Sequence, residues 1–269
     1  MEINKIYCES NTETIKQHID TNSIDVILTS PFYNTNKKAG QNRTLENTKV
    51  KEGQMNYVRY DVFVDNYTNE EYINYCKDLF LDFAKILKNN GVICWNVSYG
   101  GENADCMFLT IAKIIQETEF TIADVVCWKK KSCLPNSVSP NKLTRIWEFV
   151  FIFCRKEEYK TFHCNKKLIS KRENGQPMYD VFYNFIEAKN NDEVCPFNKA
   201  TFSTDLVKYL LEIYCPASGV VYDPFMGTGT TAVACKELGL NYIGSELSKN
   251  QCEWAEKRIK KICYQPSLF

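Results

Sequence analysis

The residues best suited to chemistry stand at the ends of two apolar runs that lie far apart in the chain. One group is Asp223-Pro224-Phe225-Met226-Gly227-Thr228-Gly229-Thr230-Thr231, which follows Val220-Val221-Tyr222 and leads into a helical pattern. Its two glycines let backbone approach a ligand closely, and a helix start offers free N–H groups. A phosphate loop needs Gly-Lys-Ser/Thr, whereas Gly229 is followed by Thr230, so a nucleoside triphosphate is a poor fit. Further on, Asn241 to Ser245 reads as the next strand and ends on Glu246, 17 residues beyond Gly229. An acidic residue at that point of a nucleotide-binding unit is suited to accept both hydroxyls of a ribose. The second group is Thr29-Ser30-Pro31-Phe32-Tyr33-Asn34, at the end of the run Ile24 to Leu28. It offers a hydroxyl, a proline and two aromatic rings beyond a strand's carboxyl end, which is where open α/β sheets bind ligands. Alone, each stretch also reads as an ordinary strand-to-loop joint.

The elements that must position these groups alternate along the chain. Lys5 to Ser10 reads as a short strand and polar cap, and Asn11 to Ile19 as a short helix with Ile15 and Ile19 at helical spacing. Residues 35 to 70 are polar and aperiodic, either a plain surface loop or a flap that grips substrate. Thr68-x-x-Glu71 is a capping box, opening a helix with Tyr72, Tyr75, Leu79, Phe83 and Ile86 on one face and Gly91 as its stop. Val92 to Val97 is a strand, followed by a Gly100-Gly101 loop and a helix from Ala104 to Glu117. Strands are expected over Ile122–Lys129 and Ile146–Arg155, with a basic, proline-broken loop between them. A helix capped by Ser203 or Thr204 runs to about Tyr214. Another spans Ala232 to Leu238 with Gly239 as its stop, and an amphipathic one runs from Lys249 to Ile262. The alternation predicts an α/β fold.

Composition removes several functional classes. Apolar residues are 44% and charged residues 25%, so a folded core is expected. Formal net charge is zero, and any nucleic-acid surface must therefore be local. Thirteen cysteines come with no signal peptide, no Cys-x-x-Cys pair and two histidines, so reduced core thiols in the cytoplasm are expected rather than disulfides or a metal. Cys94 and Cys127 sit inside apolar runs and behave as small core residues. The longest apolar run, Ile146 to Cys154, is too short to span a membrane and contains Glu148.

Asp223 to Thr231 resembles the cofactor loop of the S-adenosylmethionine-dependent DNA amino-methyltransferases. Ser30-Pro31-Phe32-Tyr33 resembles their catalytic loop, whose pattern is Asp, Asn or Ser, then Pro-Pro, then an aromatic. The resemblance implies a Rossmann-like methyltransferase fold: a mostly parallel central sheet with an antiparallel edge hairpin, plus a small DNA-recognition insertion. It implies S-adenosyl-L-methionine as cofactor and no metal, with Asp223, Phe225, Met226, Gly227, Gly229, Thr230 and Glu246 as cofactor residues. Thr201 and Phe202 would embrace the methionine end, and Glu9 joins this group. An exocyclic base amine is a poor nucleophile because its lone pair is delocalised into the ring. Ser30 Oγ and the Pro31 carbonyl would accept its two N–H bonds and aim the lone pair at the methyl group, while Tyr33 stacks on the flipped base. Phe32 replaces the family's second proline, which leaves the loop less rigid or adds an apolar wall.

The resemblance continues in Trp128-x-Lys130, Pro135-x-Ser137-Val138 and Arg145-x-Trp147-Glu148, which makes Pro135 to Val138, with Ser137, and Arg145 candidates for the target-base side. Lys130 and Lys131, in a lysine triplet that more often marks a solvated face, are DNA-contact candidates by their place beside the proposed active site. Between Arg155 and Arg172 seven basic residues, among them Lys166, Lys167, Lys171 and Arg172, stand against Glu157 and Glu158, with aromatics interleaved. That pattern suits contact with the DNA backbone. The reading divides the chain into a catalytic half (1–155), a target-recognition insertion (156–196) and a cofactor-binding half of the same domain (197–269). Catalytic loop, recognition interval and cofactor loop come in the order of the class called β. The implied partner is double-stranded DNA; a homodimer and a cognate restriction endonuclease are further partners it allows. Ser30 with the Pro-x-Ser-Val element favours cytosine N4 over adenine N6, where Asp is commoner. A catalytically silent DNA-binding relative and a methyltransferase acting on RNA or protein stay open as alternatives.

Overall fold

Apolar runs and amphipathic patterns become strands and helices close to the positions expected. The computed structural model describes residues 1–34, 67–98, 104–133, 135–137, 140–193, 195, 198 and 201–262. In chain order the elements are β1 (Lys5–Tyr7), α1 (Asn11–His18), β2 (Ile24–Thr29), α2 (Asn69–Ile86), β3 (Leu87–Val97), α3 (Ala104–Glu117), β4 (Phe120–Lys130) and β5 (Trp147–Arg155). They continue with β6 (Leu168–Lys171), β7 (Pro177–Tyr179), β8 (Phe185–Ala188), α4 (Thr204–Tyr214), β9 (Val220–Asp223), α5 (Thr230–Leu238), β10 (Asn241–Ser245) and α6 (Lys249–Lys261). The expected flap over 35 to 70 lies largely outside the described residues, as do Gly100, Gly101 and Val138.

Eight strands form one sheet in the order β1-β10-β9-β2-β3-β5-β4-β8. All its neighbouring pairs are parallel except those made by β5, which runs against both β3 and β4. The antiparallel pair therefore sits one strand in from the edge, because β8, from the interval expected to form the insertion, adds itself beside β4. Two apolar clusters cover the two faces. One gathers Phe80, Phe83 and Trp95 with Ile27 and Tyr222, and the other gathers Leu206, Leu210 and Val233 with Val26 and Val221. Strands buried on both faces read as nearly continuous apolar runs, which is why β2, interrupted only by Asp25 before Thr29, and β9 were legible.

Several joints are tighter than the sequence implied. α2 opens on the Thr68–Glu71 capping box, but it ends at Ile86 and passes straight into β3, so Gly91 lies inside the strand instead of stopping the helix. The register slips between Leu87 and Val92, and a Cβ at Gly91 would stand 2.9 Å from the Asp25 carbonyl oxygen. A bulge of this kind needs a residue without a side chain. Ser203 does precede α4, but its side chain makes no cap bond and its Oγ is buried without a partner. The carboxylate of Asp192 caps the helix instead, accepting from Thr204 N at 3.1 Å.

Twelve cysteines among the described residues are free thiols. Burial raises the thiol pKa of Cys94, a core residue as expected, and pushes that of Cys215 up to about 12. Cys127, expected in the core, is only half-buried, and desolvation raises its thiol as well.

Candidate active site

β2 and β9 are neighbours in the sheet, with Val26 against Val221 and Ile27 against Tyr222. This pairing brings the two loops together although nearly two hundred residues separate them. The strand ends are tied by Asp223, 1% exposed, whose Oδ1 accepts from Thr29 Oγ1 at 2.7 Å and Phe225 N at 3.0 Å. Its Oδ2 accepts from Thr231 Oγ1 at 2.6 Å. Burial raises the carboxyl to about 6, and these three donors offset part of that rise. Asp223 thus acts as a strut inside the joint between the loops.

The glycine loop is shaped by left-handed backbone. Gly227 has φ 55° and Gly229 φ 81°, and a Cβ at Gly229 would lie 2.6 Å from Ala255 Cβ on α6. The second glycine is needed for the close seat of α6 as well as for the turn. Met226 is 3% exposed and packs on Gly244, and its N–H and carbonyl bond Ser245 and Gly229. Thr230 is buried and its hydroxyl accepts from Arg258. Both side chains support the loop from within. Phe225 stays partly buried and meets Phe32 at 6.0 Å between ring centroids. Glu246, just past β10, accepts from Gly227 N at 2.9 Å on one oxygen and from Ser248 N at 2.8 Å on the other. These two bonds hold its carboxylate against the glycine loop. Glu9 accepts from Thr14 Oγ1 at 2.9 Å, with His18 Nε2 at 3.4 Å, so its nearest partners lie on α1. Thr201 and Phe202 are half-buried just ahead of α4, with Phe202 against the core.

On the catalytic side, Phe32 is 6% exposed and packs on Tyr72, Tyr75 and Phe225, while its carbonyl accepts from Tyr72 Oη at 2.6 Å. It forms an apolar wall, and the Tyr72 bond holds the loop where a second proline would have stiffened it. Pro31 is buried. Ser30 Oγ lies 2.8 Å from Tyr33 Oη, and Tyr33 donates to Glu148 Oε2 at 3.2 Å. Lys130 Nζ pairs with the other oxygen of Glu148. Lys130, expected on the DNA face, is engaged in this ion pair with a buried carboxylate. Lys131, Ser137 and Arg145 are exposed nearby, while Lys166, Lys167, Lys171 and Arg172 lie exposed on and around the β6–β7 hairpin.

Arg258 on α6 is the residue that sequence reasoning missed. Its guanidinium reaches the Thr228 carbonyl at 2.8 Å and the Thr230 hydroxyl at 3.1 Å, and it pairs with Asp192 at 3.1 Å and Glu193 at 2.8 Å. It joins the glycine loop to the segment that caps α4. An arginine late in an amphipathic helix looks solvated in sequence, and no spacing rule would have singled it out.

The sheet thus sets a glycine loop without the lysine of a phosphate loop beside a Ser-Pro-aromatic loop. The family described as DNA methylase (N6_N4_Mtase) matches residues 24–257, and the chain belongs to that family of cytosine-N4 and adenine-N6 DNA amino-methyltransferases. It is 24% identical to Type II methyltransferase M.BglII of Bacillus subtilis, over 94% of this chain and 68% of that relative. It is 28% identical to M.HinfI of Haemophilus influenzae, over 73% of this chain and 54% of the relative. With M2.DpnII of Streptococcus pneumoniae the identity is 25%, over 95% and 89%. The chain thus spans about half of one of these relatives and most of another. Among solved structures, the fold is similar to the cytosine-N4-specific PvuII DNA methyltransferase (TM-score 0.65, 16% identity, 98% of this chain and 89% of that one). It is also similar to M1.HpyAVI in complex with S-adenosylmethionine (TM-score 0.57, 19% identity, 95% and 98%).

S-adenosylmethionine is the cofactor of this class, and the residues present fit it. A fixed carboxylate suits a ribose diol, an aromatic stands at the loop, and no lysine in Asp223–Thr231 opposes a cationic sulfonium. Among the described residues no cluster of histidine, cysteine or carboxylate side chains could hold a metal ion, and no helix is long and apolar enough to cross a membrane.

Proposed function

We propose that the protein methylates the N4 amine of a cytosine flipped out of duplex DNA, acting in the cytoplasm. The observation that carries this reading is Ser30 Oγ, bonded to Tyr33 beside a glycine loop whose strand is the immediate neighbour of its own. S-adenosylmethionine supplies the methyl group. Glu246 would hold the ribose, and Phe225 with Thr201 and Phe202 would flank the rest of the ligand. Ser30 Oγ and the Pro31 carbonyl accept the amine's two N–H bonds, which keeps its lone pair out of the ring and directed at the methyl carbon. Tyr33 offers its ring to the base, and Phe32 excludes water on the far side. The exposed lysines and Arg172 of the recognition hairpin meet phosphates, with Lys131, Ser137 and Arg145 closer to the target base.

Serine at the first position of the catalytic loop, with Pro135-x-Ser137, supports cytosine over adenine. The test is incubation with labelled S-adenosylmethionine and mixed-sequence duplex DNA, digestion to nucleosides and mass spectrometry. N4-methylcytosine is the expected product. N6-methyladenine would move the target base while keeping the site, and an unmarked DNA with cofactor bound would overturn the activity. A homodimer or a partner endonuclease is a further proposal that sedimentation and co-purification would decide.

A further inference from the structure

We propose that Glu148 is a positioning residue that sets the hydrogen-bond polarity of the catalytic loop, so that Ser30 meets the target amine as an acceptor. The inference rests on the reading that Ser30 and Tyr33 act on an exocyclic base amine. Glu148 lies on β5, 6% exposed, with Tyr33 Oη on Oε2 at 3.2 Å and the Lys130 ammonium on Oε1. An ionised carboxylate only accepts, and a phenol has one hydrogen to give. Once that hydrogen is committed to Glu148, the 2.8 Å contact between Ser30 Oγ and Tyr33 Oη must be made with the serine hydrogen. Ser30 then turns only lone pairs towards an approaching N–H. With the order reversed, the serine hydrogen would be free to bond the amine's lone pair, the electrons needed for attack on the methyl group. The ion pair between Lys130 and Glu148 fixes the direction of the whole chain, because the ammonium occupies Oε1 and leaves Oε2 to Tyr33.

Glu148→Gln tests this with almost no change in shape. Lys130 Nζ has no acceptor to offer, so the amide must turn its oxygen to Lys130 and its NH₂ to Tyr33. Tyr33 then accepts, gives its hydrogen to Ser30, and the chain runs backwards. Turnover is expected to fall about 100-fold, the scale of losing one oriented polar group, with cofactor and DNA affinities within about twofold. In a Tyr33→Phe background the same substitution should cost less than about twofold, because the relay between the two residues is gone. Adding Lys130→Met to Glu148→Gln frees the amide to present its oxygen to Tyr33, and at least about tenfold of the lost turnover should return.

A readout without turnover is the ¹³Cζ tyrosine resonance of Tyr33 in the ligand-free protein, identified by its loss in Tyr33→Phe. It should move in Glu148→Gln, as the hydroxyl changes from donor to acceptor, while the other tyrosine signals hold. Full turnover in Glu148→Gln, an equal loss in the Tyr33→Phe background, or an unmoved resonance would each overturn the inference. If the unaltered protein leaves no methyl mark on DNA, the functional reading fails instead, and the resonance still decides the polarity.

Discussion

The glycine loop and the β6–β7 hairpin face opposite demands, and they are held in opposite ways. In the loop nearly every polar group is spent inside the protein. Asp223 takes three donors, Glu246 takes two backbone N–H groups, and Arg258 ties carbonyl, hydroxyl and two carboxylates together. The hairpin is a two-stranded ribbon apart from the main sheet, and every residue of β6 and β7 is exposed, including Leu168, Ile169 and Tyr179. A two-stranded ribbon has little stability of its own. The difference teaches where each region gets its shape: the glycine loop is organised by the fold, whereas the exposed β6–β7 hairpin would, under the proposed function, complete its packing on DNA.

Gly229→Ala should break that comparison most strongly. It forces an L side chain into φ 81° and places its Cβ 2.6 Å from Ala255 Cβ, where α6 seats on the loop. Left-handed strain and overpacking together predict a loss of about 3 kcal/mol or more, read as a fall in thermal midpoint. A variant as stable as the parent would show that the loop is not preorganised by its helix contact.

Asp223 gives the next largest effect, and it appears as a pH dependence. Its folded value of about 6 lies above the ordinary 3.8 because of burial. For a carboxyl raised on folding, the folded state binds the proton more tightly, so its favourable contribution is full below about pH 4. It is lost as pH rises through 6. The gap corresponds to about 3 kcal/mol. Asp223→Asn keeps an acceptor for Thr29 and Phe225 and a donor for the Thr231 hydroxyl, so it removes the charge without orphaning a partner. Unfolding of the two proteins compared from pH 4 to 7 should show the parent losing ground relative to the variant between 4 and 6, then a plateau. A difference flat across that window would mean that the buried carboxylate carries no such strain.

Arg258→Met should cost less, about 2 kcal/mol, because Asp192 and Glu193 keep some access to water while the Thr228 carbonyl loses its charged donor. Its sharper signature is a loosened α4 start, since Asp192 caps that helix. Amide exchange at Thr204 and at Gly227 should quicken together. Exchange that quickens at only one of them would show that the arginine does not link the two segments.

Much of this was legible because the chemistry is local in sequence. The strand-glycine-helix joint, the Ser-Pro-Phe-Tyr loop, the Thr68–Glu71 capping box and the acidic strand end all announce themselves within a few residues. What escaped depends on partners distant in the chain. Arg258 meets residues 28 to 66 positions away, and the Lys130–Glu148 pair spans the β4–β5 turn. Gly91 looked like a helix stop because glycine marks both stops and bulges, and only the approach of the Asp25 carbonyl separates the two. β8 was hidden because a four-residue edge strand leaves almost no period to read.

The smallest effect on stability sharpens the comparison from the other side. Replacing Lys166, Lys167, Lys171 and Arg172 with glutamine should move unfolding free energy by less than about 0.5 kcal/mol, since exposed charges on a separate ribbon hold nothing else in place. Binding is where the change should show. Each lost phosphate contact lowers the slope of log affinity against log salt by about one, so the salt dependence of duplex binding should flatten as affinity falls. Cofactor affinity should stay at the parent value, because Glu246 and the glycine loop are held without help from the hairpin. A large loss of stability would instead make the ribbon part of the folded core. An unchanged salt slope with intact folding would take these four residues off the DNA and leave Lys131, Ser137 and Arg145 as the contacts to examine.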